Sequence, residues 1–191
     1  MVILIGGAGY TGKTTMAQKL LEIYKIPYFS IDHLKMGIFR SNNNCGFNPE
    51  SPDKIITDKL WPIIKGIIKT NIENDQNIII EGCYFPESIE DIGKEYLNKI
   101  IMFSMGFSEQ YIRKNLYSGI FEKRNILEKR MYEEEAGDEF IENIEEYIMK
   151  NKNRKEICIK NKIKHFEINE NYEMEIKNIF KWIENEVKRK K

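Results

Sequence analysis

The residues whose types and spacing could carry chemistry open the chain. Gly7, Gly12, Lys13 and Thr14 fill the pattern G-x-x-x-x-G-K-[ST], with Ala8, Gly9, Tyr10 and Thr11 inside it and Thr15 directly after. Glycines allow positive φ, so the backbone can curl and aim successive N–H groups at an anion. Lys13 would reach the β- and γ-phosphates, Thr14 would offer its hydroxyl to Mg²⁺, and a helix starting here would turn its positive end to the phosphates. The plainer reading is a glycine-rich turn with a solvated lysine. The apolar run Val2–Ile5 before the loop and a helical pattern after it supply the context for phosphate binding. Gly7 through Thr15 are therefore the candidate residues for binding a nucleoside triphosphate, Lys13 is also a candidate catalytic group, and Thr14 is a candidate metal ligand.

A loop of this kind needs a strand and a helix to hold it. Val2–Ile5 is apolar throughout, as expected of a central parallel strand buried on both faces. Met16, Leu20, Leu21 and Tyr24 recur at helical spacing after the loop. Tyr28–Ile31, Asn77–Gly82, Lys99–Phe103 and Lys164–Ile168 read as four further strands. Leu34–Arg40 reads as a short helix. Asp53 caps a longer one with Ile56, Leu60, Ile63, Ile64, Ile67 and Ile68, in which Pro62 predicts a kink or an interruption. Ser108 is placed to cap a helix through Leu116, Asp138 to start another with Phe140, Ile141, Ile144, Tyr147 and Ile148, and Tyr172–Lys188 forms the last. Strands alternating with helices predict an α/β domain over residues 1–191 built on a five-stranded parallel sheet with helices on both faces. Right-handed crossovers bring every strand's carboxyl end to one edge, so functional groups should gather after Ile5, Ile31, Ile80, Phe103 and Ile168.

Several side chains fall at that edge. Asp32 could take a proton from a substrate hydroxyl, help to hold Mg²⁺, or simply cap the helix starting at His33. Arg40 could bind an anionic group on an acceptor or be a surface charge. Glu81 closes an apolar strand, where a carboxylate can reach Mg²⁺ or its water shell, or a substrate. Tyr84 could line an acceptor pocket. Arg113, Arg124 and Arg130 could neutralise phosphate charge, since the guanidinium fork binds phosphate oxygens bidentately, or could belong to solvated helix faces. The remaining lysines read as surface. His165 inside the fifth strand reads as structural. The charged stretch Gly119–Glu135 suits a lid that closes over nucleotide.

Lys+Arg and Asp+Glu balance at 30 each, which gives no sign of a nucleic-acid partner. Three cysteines without metal-ligand spacing suit a reducing, cytoplasmic setting. No apolar run approaches the roughly 20 residues of a membrane span. A monomer or homodimer is expected.

On these residues the chain resembles the P-loop small-molecule kinases, the broad group of nucleoside monophosphate, shikimate and gluconate kinases, chloramphenicol phosphotransferase and zeta-toxin kinases. The sharpest part is Gly7–Thr15; Asp32, Arg113 and a lid-like segment over about 117–137 with Arg124 and Arg130 are the softer part. The Ile5-Gly6-Gly7 opening followed by Gly12-Lys13-Thr14-Thr15 is also similar to 2-phosphoglycerate kinases and zeta toxins. The resemblance implies a three-layer P-loop NTPase fold with a small helical lid, ATP and Mg²⁺ as cofactors, and transfer of the γ-phosphate to a hydroxyl or phosphate of a small-molecule acceptor. Glu81-Gly82-Cys83-Tyr84-Phe85-Pro86-Glu87 departs from the Asp-Gly-Phe/Tyr-Pro-Arg run of adenylate kinases. Losing that arginine counts against a nucleoside monophosphate acceptor. A nucleotide-hydrolysing switch and a toxin-type kinase acting on a sugar nucleotide remain alternatives. The guanine-reading N-K-x-D motif is missing from both Asn98-Lys99-Ile100-Ile101 and Asn161-Lys162-Ile163-Lys164.

Overall fold

A computed structural model describes residues 1–42, 44–115 and 144–190. The expected lid, with Arg124 and Arg130, and the helix start at Asp138 lie outside the described residues.

Strand β1 (Val2–Gly7) lies at the centre of the sheet, as its unbroken burial requires. It pairs in parallel with β3 (Ile78–Glu81) on one side and β4 (Ile100–Phe107) on the other. Strand β2 (Tyr28–Ser30) adds outside β3, and β5 (Lys164–Ile168) outside β4. The order is therefore β2-β3-β1-β4-β5, and every pairing is parallel.

Alternate residues of β1 serve opposite faces, which is what makes the fold three layers. Ile3 and Ile5 pack with α1 (Lys13–Tyr24), α6 (Ile144–Lys160) and α7 (Tyr172–Lys190). Val2 and Leu4 pack with α2 (Ile31–Ser41) and α3 (Asp53–Glu73). Two short helical pieces, a 3-10 turn at Glu90–Ile92 and α4 (Lys94–Leu97), lead into β4, and α5 (Glu109–Asn115) follows it.

Four expectations change. Helix α3 runs unbroken through Pro62, which lies on its exposed face; Pro52, not Asp53, holds the cap position. Ile63, expected on the apolar stripe, is exposed. Strand β4 continues past Phe103 to Phe107 because β5 pairs with it over Phe103–Phe107 and keeps those residues buried. Its functional end is therefore Phe107. Ser108 does cap α5, accepting the Tyr111 amide on Oγ at 3.2 Å.

Candidate active site

The loop after β1 turns through three positive-φ residues: Gly7 (139°), Tyr10 (60°) and Gly12 (84°). A side chain at Gly7 would run into the Met105 carbonyl oxygen on β4, and one at Gly12 into the Tyr172 hydroxyl. Among the described residues nothing lies within 4 Å of the Cβ position at Gly9. Tyr10 takes the left-handed conformation that side chains usually avoid, a local strain of the sort that concentrates at functional loops.

Lys13 begins α1 and is only 6% exposed. Its Nζ folds back to donate to the Ala8 carbonyl at 2.6 Å, and Thr11 Oγ1 donates to the same oxygen at 3.0 Å. That carbonyl occupies the cation in the way phosphate oxygens would. Thr14 and Thr15 sit half-buried in the first turn of α1, behind the unpaired amides of its N-terminus.

Two tyrosines brace the loop. Tyr147 Oη, on α6, donates to the Gly9 carbonyl at 2.7 Å. Burial pushes its pKa far above the ordinary tyrosine value, so it stays a donor. Tyr172, at the start of α7, lies against Gly12, and burial pushes its pKa up to about 12.

Beside the loop, Glu81 ends β3 at 1% exposure, in register with Ile5 of β1 and Ser30 of β2. The Gly82 amide donates to the Ile5 carbonyl at 3.1 Å. A Cβ on Gly82 would come within 2.7 Å of Ile31 Cβ, so the glycine lets the first turn of α2 close onto the end of β3. Phe85 packs against Gly6, 3.4 Å from where a Cβ would be.

That closure places Asp32. Helix α2 begins at Ile31 with Ser30 in the cap position, so Asp32 lies within the first turn and is not the cap of a helix starting at His33. The carboxylate there is favoured by the positive helix end. One turn on, Lys35 Nζ lies 3.5 Å from Asp32 Oδ1 and donates to Tyr84 Oη at 2.8 Å, with its charge 4.9 Å from the Tyr84 ring centre. Lys35 is 9% exposed and Tyr84 8%. The reading of the other lysines as surface fails here: α2 and the segment after β3 enclose Lys35 between them.

The structure thus brings together Asp32 and Tyr84 through Lys35. Arg40 is exposed in the last turn of α2, about 12 Å along the axis from Asp32. Arg113 is exposed on α5, with ion pairs to Glu109 at 2.9 Å and Glu145 at 2.8 Å.

Helix α6 contributes residues that sequence reasoning missed. Tyr147, Asn151 and Arg154 stand at i, i+4 and i+7, on one face. Asn151 is 3% exposed and accepts the Phe107 amide on Oδ1 at 2.9 Å, closing the end of β4. Arg154 Nη2 donates to the Cys83 carbonyl at 2.9 Å. The signal available was the apolar stripe of Tyr147 and Ile148 continuing into polar residues with the same spacing.

Among the described residues no group of three or more His, Cys, Asp or Glu is arranged to hold a metal by itself. Mg²⁺ does not require one: it takes one or two protein oxygens and fills its remaining positions with phosphate and water. The Thr14 hydroxyl and the buried Glu81 carboxylate fit that donor chemistry. Among the described residues no helix is long and apolar enough to cross a membrane.

No protein-family model matches the chain, and no curated protein matches it in sequence. Solved structures do match in fold. Shikimate kinase from Bacteroides thetaiotaomicron superimposes with a TM-score of 0.55 at 13% identity, covering 96% of this chain and 98% of that one. A candidate kinase from Chloroflexus aurantiacus gives 0.53 at 14% identity, with 100% and 97% covered. An uncharacterised protein from Eubacterium ventriosum gives 0.51 at 17%, with 96% and 98% covered. The chain has the P-loop kinase-like α/β fold.

Proposed function

We propose that this chain is an ATP-dependent kinase that transfers the γ-phosphate to a hydroxyl of a small molecule. The observation that carries this reading is the buried Lys13 within a curled, glycine-bearing loop, set at the same sheet edge as Asp32 and Glu81. The fold shared with a shikimate kinase and a candidate kinase supports it.

Phosphoryl transfer depends on positioning and charge stabilisation more than on covalent chemistry. Loop amides and the N-terminus of α1 bind the phosphate oxygens. Lys13 leaves the Ala8 carbonyl for the β- and γ-phosphates and neutralises the moving group. Thr14 and Glu81 would hold Mg²⁺, which when bound supplies further charge neutralisation across the phosphates. The acceptor oxygen forms a bond to the γ-phosphorus as the bond to the ADP oxygen breaks, and Asp32 takes the hydroxyl proton. Arg124 and Arg130, on the charged segment, would arrive over the triphosphate.

The test is ADP formation from Mg²⁺–ATP by the purified chain, screened against pools of nucleosides, nucleotides, sugars, hydroxy acids and aminoglycosides. A pool that raises ADP formation well above the basal rate supports a kinase. A slow hydrolysis unchanged by every pool favours a nucleotide switch and sinks the kinase reading.

A further inference from the structure

The segment after β3 and the first turns of α2 share one buried cation. Lys35 Nζ donates to Tyr84 Oη at 2.8 Å and lies 3.5 Å from Asp32 Oδ1, with the Tyr84 ring centre 4.9 Å away. Asp32 and Lys35 stand at i and i+3 of one helix, so both side chains lie on one face. Tyr84 comes from the other element, 49 positions along the chain. The side chains of Lys35 and Asp32 are 11% and 26% exposed, against 83% and 61% for the Lys54–Asp58 pair on α3. Solvent screens the second pair and makes it worth little, whereas the first keeps most of its charge interaction.

The two contacts of Lys35 differ in kind. The 2.8 Å contact to the phenol is a full hydrogen bond. The 3.5 Å contact to the carboxylate is an ion pair, longer than the roughly 2.7–2.9 Å of a charge-assisted hydrogen bond. The ammonium is thus fixed by a neutral partner and acts on Asp32 through its charge. Burying an ammonium is costly, and an unbranched apolar side chain would fill the space between α2 and Tyr84 without that cost. What only a cation supplies there is an attraction that orients the carboxylate. Lys35 therefore steers Asp32 without taking one of its oxygens in a short hydrogen bond, which suits a group that must accept a proton.

We propose that Lys35, held in place by Tyr84, is a positioning residue for the transfer: it orients the Asp32 carboxylate toward the acceptor hydroxyl, and Tyr84 acts through it. As the acceptor oxygen bonds to the γ-phosphorus and the bond to the ADP oxygen breaks, the hydroxyl proton passes to Asp32, and Lys35 neither gains nor loses one. The task of Asp32 comes from the proposed kinase reading. The hold of Lys35 on Asp32 can be measured without turnover.

The first measurement is the Nζ resonance of the Lys35 ammonium in the ¹⁵N-labelled full chain, assigned by its loss in Lys35→Arg. Asp32→Asn and Tyr84→Phe should each shift that resonance. A resonance unmoved by Asp32→Asn overturns the proposal, whatever the activity. The second measurement is acceptor-dependent ADP formation, with Mg²⁺–ATP and the pool that raises it. Lys35→Met should lower the maximal rate about tenfold or more and leave KM for ATP unchanged. Lys35→Arg should recover part of the loss, and Tyr84→Phe should show a smaller loss of the same kind. Made in the Asp32→Asn background, Lys35→Met should cost almost nothing further, because the carboxylate it orients is gone. An equal loss in that background overturns the proposal, as does a Lys35→Met variant with a lower Tm and an unchanged rate. If Lys35→Met does not fold, Tyr84→Phe, which removes only a hydroxyl, takes its place in the same comparison. If no pool raises ADP formation, the kinase reading fails and the measured hold on Asp32 stands.

Discussion

The Tyr147 hydroxyl holds the Gly9 carbonyl across 138 positions of sequence. In the proposed kinase the amides beside that peptide bind phosphate, so the hydrogen bond would help to set the shape of the loop for nucleotide. Tyr147→Phe keeps the ring in its buried slot and removes only the donor. A net contribution of about 1 kcal/mol predicts roughly five-fold weaker binding of an ATP analogue, with the chain still folded. Calorimetry for affinity and thermal denaturation for fold are the two measurements. Unchanged affinity would show that the loop holds its shape without the brace.

Lys13→Ala removes the one loop cation while sparing the turn, since the Ala8 carbonyl it contacts can still accept Thr11 Oγ1. Any acceptor-dependent ADP formation should fall by about 100-fold or more, as for loss of a preorganised charge-stabilising group. Retained turnover would refute the assignment of the phosphate loop.

Asp32→Asn should leave affinity for the ATP analogue nearly unchanged and cut acceptor-dependent turnover about 100-fold or more, because the amide cannot take the hydroxyl proton. A variant that only melts earlier, at unchanged turnover, would reduce Asp32 to a helix-end charge paired with Lys35.

Gly82→Ala tests the closure of α2 on β3. The new methyl would meet Ile31 Cβ at 2.7 Å, and overpacking of this size costs about 1–3 kcal/mol. The variant should melt earlier and lose turnover more than it loses ATP affinity, because the strain falls on the helix that carries Asp32 and Lys35.

His165 supplies a pH signature. Burial lowers its pKa from 6.5 to about 4, with Glu167 opposing and Lys155 and Arg154 adding to the shift. Between those two values the unfolded chain takes up a proton that the folded chain does not. Stability attributable to the neutral imidazole is therefore complete above pH 6.5 and lost as pH falls toward 4. Thermal denaturation across that window should show a Tm that drops with acidification, and His165→Gln should flatten the drop. Parallel profiles for the two proteins would count against the assignment.

Local patterns explain what was legible in the sequence. Val2–Ile5, Gly7, Gly12 and Lys13 lie together in the chain, so the strand, the loop and the parallel sheet could be read from one stretch and from the alternation that follows. Asp32, Glu81 and Tyr84 emerged because strand ends collect at one edge of a parallel sheet. Lys35 did not, because its burial depends on Tyr84, which is remote in sequence, and a lysine in a helix looks solvated until that partner is in place. Arg154 was hidden for a related reason: nothing local shows that α6 lies over the end of β3. Tyr10 was hidden because its left-handed conformation follows from the loop as a whole and not from its residue type.

The central position of β1 has a consequence for how the molecule is made. Its partners are Ile78 and Ile100 onward, so Val2–Gly7, apolar and uncovered, must wait for both to be present. Such long-range parallel pairing carries its loop-closure entropy before any contact repays it, which makes acquisition of structure slow and leaves a sticky segment exposed meanwhile. The glycine-bearing loop after β1 inherits that timing. Its curl at Gly7 depends on β4 lying alongside, and its brace at Gly9 on α6, so nucleotide-binding competence should appear late in folding and report completion of the whole sheet.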